Sequence, residues 1–210
     1  MVPESYKPYL SGILISEGFI QDRITALAAE LLHDWQDLSS PPHLLVVLKG
    51  ASTFFGDLLR ALSRRHANSG DLRVPCTFDF VRVKSYEGTE STGNVRVSGI
   101  DLESLRGRHL VIIEDIIDTG ATMAKLVPML QDLGAASVQS VSLLQKRTER
   151  ACGYRGNYVG FEIPDAFVVG YCLDYNEAFR EMQHIAVINE AGIAAFKDFE
   201  ANHGPAEYTK

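Results

Sequence analysis

Two short, uninterrupted apolar runs, residues 44–48 (LLVVL) and 110–113 (LVII), constrain this chain more than any other feature of it. A run of that length with no polar alternation suits a strand buried on both faces of a parallel sheet. The segments around them have helical period. Ile20, Ile24, Leu27, Ala28, Leu31, Leu32 and Trp35 share one face before the stop at 39–42 (SSPP). After the first run, Phe55, Leu58, Leu59 and Leu62 line a second helix, with Ser52 or Thr53 as candidate cap and 68–70 (NSG) as its end. After the second run, residues 121–133 have helical composition and stop at Gly134. Residues 74–84 (VPCTFDFVRVK) and 138–144 predict further strands, and 166–169 and 185–188 shorter ones. Strand, loop, helix and strand in that order predict right-handed βαβ units, hence an α/β fold with a doubly wound parallel sheet and flanking helices. The mostly polar tail beyond Phe196 is expected to be loose.

At 210 residues, with 46% hydrophobic and 22% charged residues, the chain suits one α/β domain spanning 1–210. No repeat, low-complexity tract or linker divides it. The formal charge of -7 argues against nucleic acid as a partner, because phosphate neutralisation needs clustered Lys and Arg. No stretch reaches the ~18 apolar residues of a membrane helix, and residues 1–5 lack a signal pattern. Cys76, Cys152 and Cys172 are odd in number, far apart and without CxxC spacing. A cytoplasmic, reducing location is therefore expected.

The chemistry concentrates in residues 111–123 (VIIEDIIDTGATM). Glu114 and Asp115 interrupt an apolar strand, a costly burial unless the strand is ending at a ligand site. The turn Asp118-Thr119-Gly120-Ala121-Thr122 then joins strand to helix, offering backbone N–H groups, two hydroxyls and a positive helix terminus. Such a turn can cradle a phosphate while the acidic pair reaches sugar hydroxyls, so a phosphorylated ribose fits both. Asp-Thr-Gly alone is equally a capped βα turn.

The thirteen-residue run resembles the signature of the type I phosphoribosyltransferases. The likeness extends to LKG at 48–50, FVRVKSY at 80–86, SLLQKR at 142–147 and VGFEIPDAFVVGYCLDYNEAFR at 159–180, which look like the hypoxanthine-guanine branch of that family. It implies a core of about 40–190 under a small hood built from the chain ends. It also implies transfer of a phosphoribosyl group from phosphoribosyl diphosphate to N9 of hypoxanthine or guanine in purine salvage, with Mg2+ as cofactor and a homodimer or homotetramer as assembly.

Residue by residue, the resemblance implies that Asp118, Thr119, Gly120, Ala121 and Thr122 hold the 5′-phosphate. Asp118 additionally acts as the catalytic base toward N7. Glu114 and Asp115 take the ribose hydroxyls directly or through magnesium, with Asp174 a further metal ligand. Lys146 donates to O6, which rejects adenine; spacing alone favours reading it as a solvent lysine at a strand end. Phe167 stacks on the base and the Val168 carbonyl accepts from N1–H, although Phe-Val-Val by itself reads as core strand. Lys49 and Gly50 bind pyrophosphate through backbone N–H groups, with a cis peptide expected before Lys49. Arg180, otherwise a surface helix arginine, also contacts pyrophosphate. Ser85 and Tyr86 form the base of a lid spanning 85–94 that excludes water. The family commonly has a second glycine where this chain has Ala51, which bears on a backbone angle. The alternatives are a weakly active paralogue, or a regulatory phosphoribosyl-binding protein without turnover.

Overall fold

The computed structural model describes residues 2–69, 76–85 and 95–203; the side chains of residues 66–69, 85 and 203 lie outside that description. Along the chain the elements are β1 (Leu10–Ile15), α1 (Glu17–Asp34), β2 (His43–Val47), α2 (Ala51–Ser69), β3 (Thr77–Ser85), β4 (Val95–Ser98), β5 (His109–Ile117), α3 (Ala121–Asp132), β6 (Ser137–Arg147), β7 (Tyr158–Pro164), β8 (Val168–Val169), β9 (Ile185–Ile188), α4 (Glu190–Ala195) and α5 (Phe199–His203). They fall into two compact units, one formed by Gln21–Asp165 and the other by Met1–Ile20 with Ala166–Lys210.

In the larger unit the sheet order is β4-β3-β2-β5-β6-β7. β3, β2, β5, β6 and β7 are parallel, and β4 closes one edge antiparallel to β3. The two apolar runs lie side by side, Leu44 opposite Val111 and Leu45 opposite Ile112. All five residues of β2 are buried, as both covered faces require. The core gathers Leu45, Leu110, Ile112, Leu126 and Leu130. The buried face of α2 is Ala51, Phe54, Phe55, Leu58, Ala61 and Leu62, with Phe54 fully enclosed. The helix begins at Ala51, ahead of Ser52 and Thr53, so neither residue is its cap.

Several expectations are corrected. β5 runs on to Ile117, so Glu114 and Asp115 sit inside the strand instead of at its end. β6 likewise reaches Arg147 and contains Lys146. β4 is only four residues long, and β7 carries Gly160 and Glu162, so neither has the composition of a buried strand. Gly160 is required there, since a Cβ would overlap the Leu143 carbonyl of the neighbouring strand.

The smaller unit holds a separate antiparallel sheet, β1-β9-β8. Its core joins Val169, Ala178, Phe179, Met182, Ala186 and Ile188. Tyr6 and Phe196 each pack on Phe179, with ring centroids 4.7 and 4.6 Å away, and Phe196 meets Phe199 at 5.5 Å. The segment beyond Phe196 is thus not loose up to residue 203: it forms α5, anchored by these rings. No helix of the described residues is long and apolar enough to cross a membrane. None of the three cysteines forms a disulfide.

Phe54→Ala should lower the unfolding free energy by about 3–5 kcal/mol, the usual range for deleting an enclosed aromatic ring. Chemical denaturation of the two proteins measures it.

Candidate active site

β2 has β3 on one side and β5 on the other, so the strand order reverses there. Chain segments leaving β2 and β5 diverge at such a point, and a crevice opens at the carboxyl ends of the two strands. Lys49 and Gly50 follow β2 at this point of the sheet, with a cis Leu48–Lys49 peptide. Gly50 cannot carry a side chain, because a Cβ would overlap the Asp115 carboxylate. The loop after the first apolar run and the acidic pair of the second are therefore in contact. Ala51 is fully buried as the first residue of α2 and has no positive φ, so it does not need the angle that only glycine reaches.

Asp115 takes the Ile116 N–H at 2.7 Å on its own carboxylate, and its N–H donates to Glu114 Oε1 at 3.3 Å. Burial pushes the Glu114 carboxyl well above the usual carboxylate range; the Asp115 charge and a hydrogen bond between the two carboxyls push it further. A cation beside the pair would offset that cost by favouring the charged carboxylates. Two adjacent hard oxygens in that condition suit Mg2+, which commonly completes its shell with water and phosphate oxygens.

The turn behind β5 has the expected form. Gly120, the N-cap of α3, has φ +81, and a Cβ there would press on Tyr154 and Cys152. The segment bearing those two residues is tied to the turn by Cys152 N–H donating to the Thr119 carbonyl at 2.9 Å. Thr119 Oγ1 takes the Ala121 N–H at 3.3 Å. Thr122 lies one residue into the helix.

Lys146 and Asp118 meet at the ends of adjacent strands. Lys146 Nζ donates to Asp118 Oδ2 at 3.3 Å, with the lysine side chain only 9% exposed. Asp118 Oδ1 is buried and accepts no hydrogen bond. Three residues not anticipated from sequence complete this cluster. Asp165 Oδ1 stands 3.8 Å from Lys146 Nζ and 3.3 Å from Arg150 Nη2. Arg150 also approaches Asp118 Oδ1 at 3.6 Å, and Thr148 Oγ1 donates to Asp165 Oδ2 at 2.6 Å. Led by the Thr148 hydrogen bond, these contacts hold the Asp165 carboxyl below its usual range against partial desolvation. The alternation Lys146-x-Thr148-x-Arg150 is the one sequence signal that could have pointed to them.

The remaining candidates lie in the smaller unit. Phe167 is 49% exposed, whereas Val168 and Val169 are buried, so the Phe-Val-Val run is core only in part. Its ring meets Tyr175 edge-on at 5.4 Å. Arg180 Nη2 bonds Asp174 Oδ1 at 2.9 Å and Glu177 Oε1 at 2.8 Å, while Nη1 donates to the Cys172 carbonyl at 2.7 Å. Burial opposes the arginine's charge, but Glu177 and Asp174 outweigh it and raise its pKa above the ordinary value. Arg180 is therefore half-buried in a network, not a surface helix arginine. Around it Tyr171, Cys172, Asn176, Glu177 and Phe179 all have positive φ, a concentration of backbone strain that no sequence signal announced. Of the expected lid, residues 86–94, with Tyr86, lie outside the described residues; Ser85 ends β3 with only its backbone described.

This topology and this turn define a class. Residues 16–176 match the model of the phosphoribosyl transferase domain, and the chain belongs to that family. Among its relatives, the hypoxanthine-guanine phosphoribosyltransferase of Rattus norvegicus is 45% identical over 199 residues, covering 93% of this chain and 89% of its own; that of Homo sapiens is 44% identical over the same span. Among solved structures, the hypoxanthine phosphoribosyl transferase of Trypanosoma cruzi aligns with TM-score 0.80 at 35% identity, covering 93% of this chain and 99% of the other. The Schistosoma mansoni hypoxanthine-guanine phosphoribosyltransferase in complex with IMP aligns with TM-score 0.75 at 34% identity, over 92% and 88%. The fold is the type I phosphoribosyltransferase fold.

A carboxyl whose folded pKa is raised costs stability once pH exceeds its ordinary value. Glu114→Gln should therefore raise the melting temperature near pH 8, by about 2–4 °C for each kcal/mol of relieved cost, and give no gain near pH 4. Calorimetry at both pH values checks the sign.

Proposed function

We propose that this chain transfers the phosphoribosyl group of phosphoribosyl diphosphate to N9 of hypoxanthine or guanine, releasing IMP or GMP and pyrophosphate. The observation that carries the reading is the side-by-side pair of Lys146 Nζ and Asp118, whose other carboxylate oxygen is buried and accepts no hydrogen bond. A cationic donor beside an anionic acceptor complements the edge of a 6-oxopurine, where O6 accepts and a protonated N7 donates. Adenine carries an amino donor at position 6 and would face Lys146 donor to donor, leaving buried polar groups unpaired.

In this reading the purine edge enters between the two groups: Lys146 donates to O6, and Asp118 takes the N7 proton as N9 attacks the anomeric carbon. Thr119, Gly120, Ala121 and Thr122 hold the 5′-phosphate by backbone N–H groups and hydroxyls at the start of α3. Phe167 stacks on the base, and the Val168 carbonyl accepts from N1–H. Lys49, Gly50 and Arg180 bind pyrophosphate. Glu114 and Asp115 hold the ribose hydroxyls and, with Asp174, are the residues that would hold magnesium, whose charge when bound neutralises the departing pyrophosphate. Ser85 and Tyr86 remain candidate lid residues.

A cytoplasmic enzyme fits the absence of disulfides among the three cysteines. Assembly into a homodimer or homotetramer is supported by Phe78 and Phe80, apolar side chains 43% exposed on one face of β3.

With phosphoribosyl diphosphate and magnesium, absorbance assays should give turnover with hypoxanthine and guanine and at least about 10⁴-fold lower kcat/KM with adenine. Asp118→Asn should lower kcat by about 10²–10⁴ while leaving the melting temperature unchanged. Unchanged turnover in that variant removes Asp118 from the chemistry. No turnover with any base, alongside retained binding of phosphoribosyl diphosphate, establishes a regulatory binding protein instead.

A further inference from the structure

A lysine and a carboxylate left alone close onto each other, and a closed pair presents neither group to a ligand. Lys146 is not left alone. Its ammonium lies between Asp118 Oδ2 at 3.3 Å and Asp165 Oδ1 at 3.8 Å. Arg150 is divided in the same way, 3.6 Å from Asp118 Oδ1 and 3.3 Å from Asp165 Oδ1. Two cations are thus shared by two carboxylates. Asp165 is itself held: Thr148 Oγ1 donates to its Oδ2 at 2.6 Å, and the Arg150 N–H donates to the same Thr148 hydroxyl at 3.2 Å. The second carboxylate stands just beyond the end of β7, after Pro164, facing the end of β6.

These contacts add little to folding. Asp165 is 39% and Arg150 62% exposed, and ion pairs in that setting contribute weakly to stability. Lys146 differs, because its side chain is 9% exposed and its head has few other places to go. The position of that ammonium is what a second carboxylate controls.

We propose that Asp165 is a positioning residue for the transfer reaction, holding Lys146 and Arg150 short of full pairing with Asp118 so that a purine edge can enter between Lys146 and Asp118. The inference rests on the proposed function, and it assigns work to a residue that acts only through Lys146 and Arg150. Asp165→Asn keeps the size and an oxygen for Thr148 but removes the charge. Both cations then turn to Asp118, and the base must break a tighter pair to bind.

Steady-state kinetics on the full chain with magnesium, varying each substrate in turn, tests this. In Asp165→Asn the KM for hypoxanthine should rise about tenfold, the scale of a charge-assisted hydrogen bond, while the KM for phosphoribosyl diphosphate stays within about twofold. Asp165→Glu, which restores the charge, should recover most of the loss. An unchanged KM for hypoxanthine, an equal rise in both KM values, or no recovery with glutamate overturns the role. The wild-type protein is assayed in parallel. If it turns over neither hypoxanthine nor guanine, the functional reading fails and this inference with it; an active wild type matched by Asp165→Asn sinks the inference alone.

Discussion

Two carboxylates inside a strand of the central sheet set the terms for everything around them. Glu114 and Asp115 follow four buried residues of β5, where an ionised pair would be expensive to keep dry. The cost shows locally: burial and the Asp115 charge raise the pKa of the Glu114 carboxyl, while Asp115 takes the N–H of Ile116. The chain meets it across the sheet, where Gly50 leaves open the space that the Asp115 carboxylate occupies. A glycine after one strand and an acidic pair in another are thus one construction.

A second charge cluster sits along the same sheet edge. Lys146 and Arg150 are shared between Asp118 and Asp165, with Thr148 steadying the outer carboxylate. The acidic pair is dominated by like charge and burial, whereas this cluster is balanced. Under the proposed function the contrast matches the ligands: diol, metal and phosphate on one side, and a neutral base with an acceptor–donor edge on the other. The turn at Gly120 lies between them in sequence and is pinned from behind by the 152–154 segment.

Much of this was readable from the chain. The apolar runs at 44–48 and 110–113 became β2 and β5, and the turn at 118–122 became the entry to α3. What went unread had physical causes. β4 and β7 lack buried-strand composition, and local pattern ends β5 and β6 early because their ends carry Glu114, Asp115, Gln145 and Lys146, polar residues that it assigns to loops. Polarity alone marks the tail as loose, while Phe196 and Phe199 join an aromatic cluster supplied from the other end of the chain. Phe167 was ambiguous for the same reason: a strand pattern says nothing about which residue of three is left half exposed.

By itself the sequence determined the α/β alternation, the glycine turn into α3 and the identity of the acidic, lysine and arginine groups, because each is written in neighbouring residues and local backbone preference. Only the tertiary structure decided that Gly50 yields its space to Asp115, that Asp165 shares Lys146 with Asp118, and that five residues between 171 and 179 adopt left-handed backbone angles. Those facts depend on strand order, register and close packing, which bring together groups that no spacing along the chain relates.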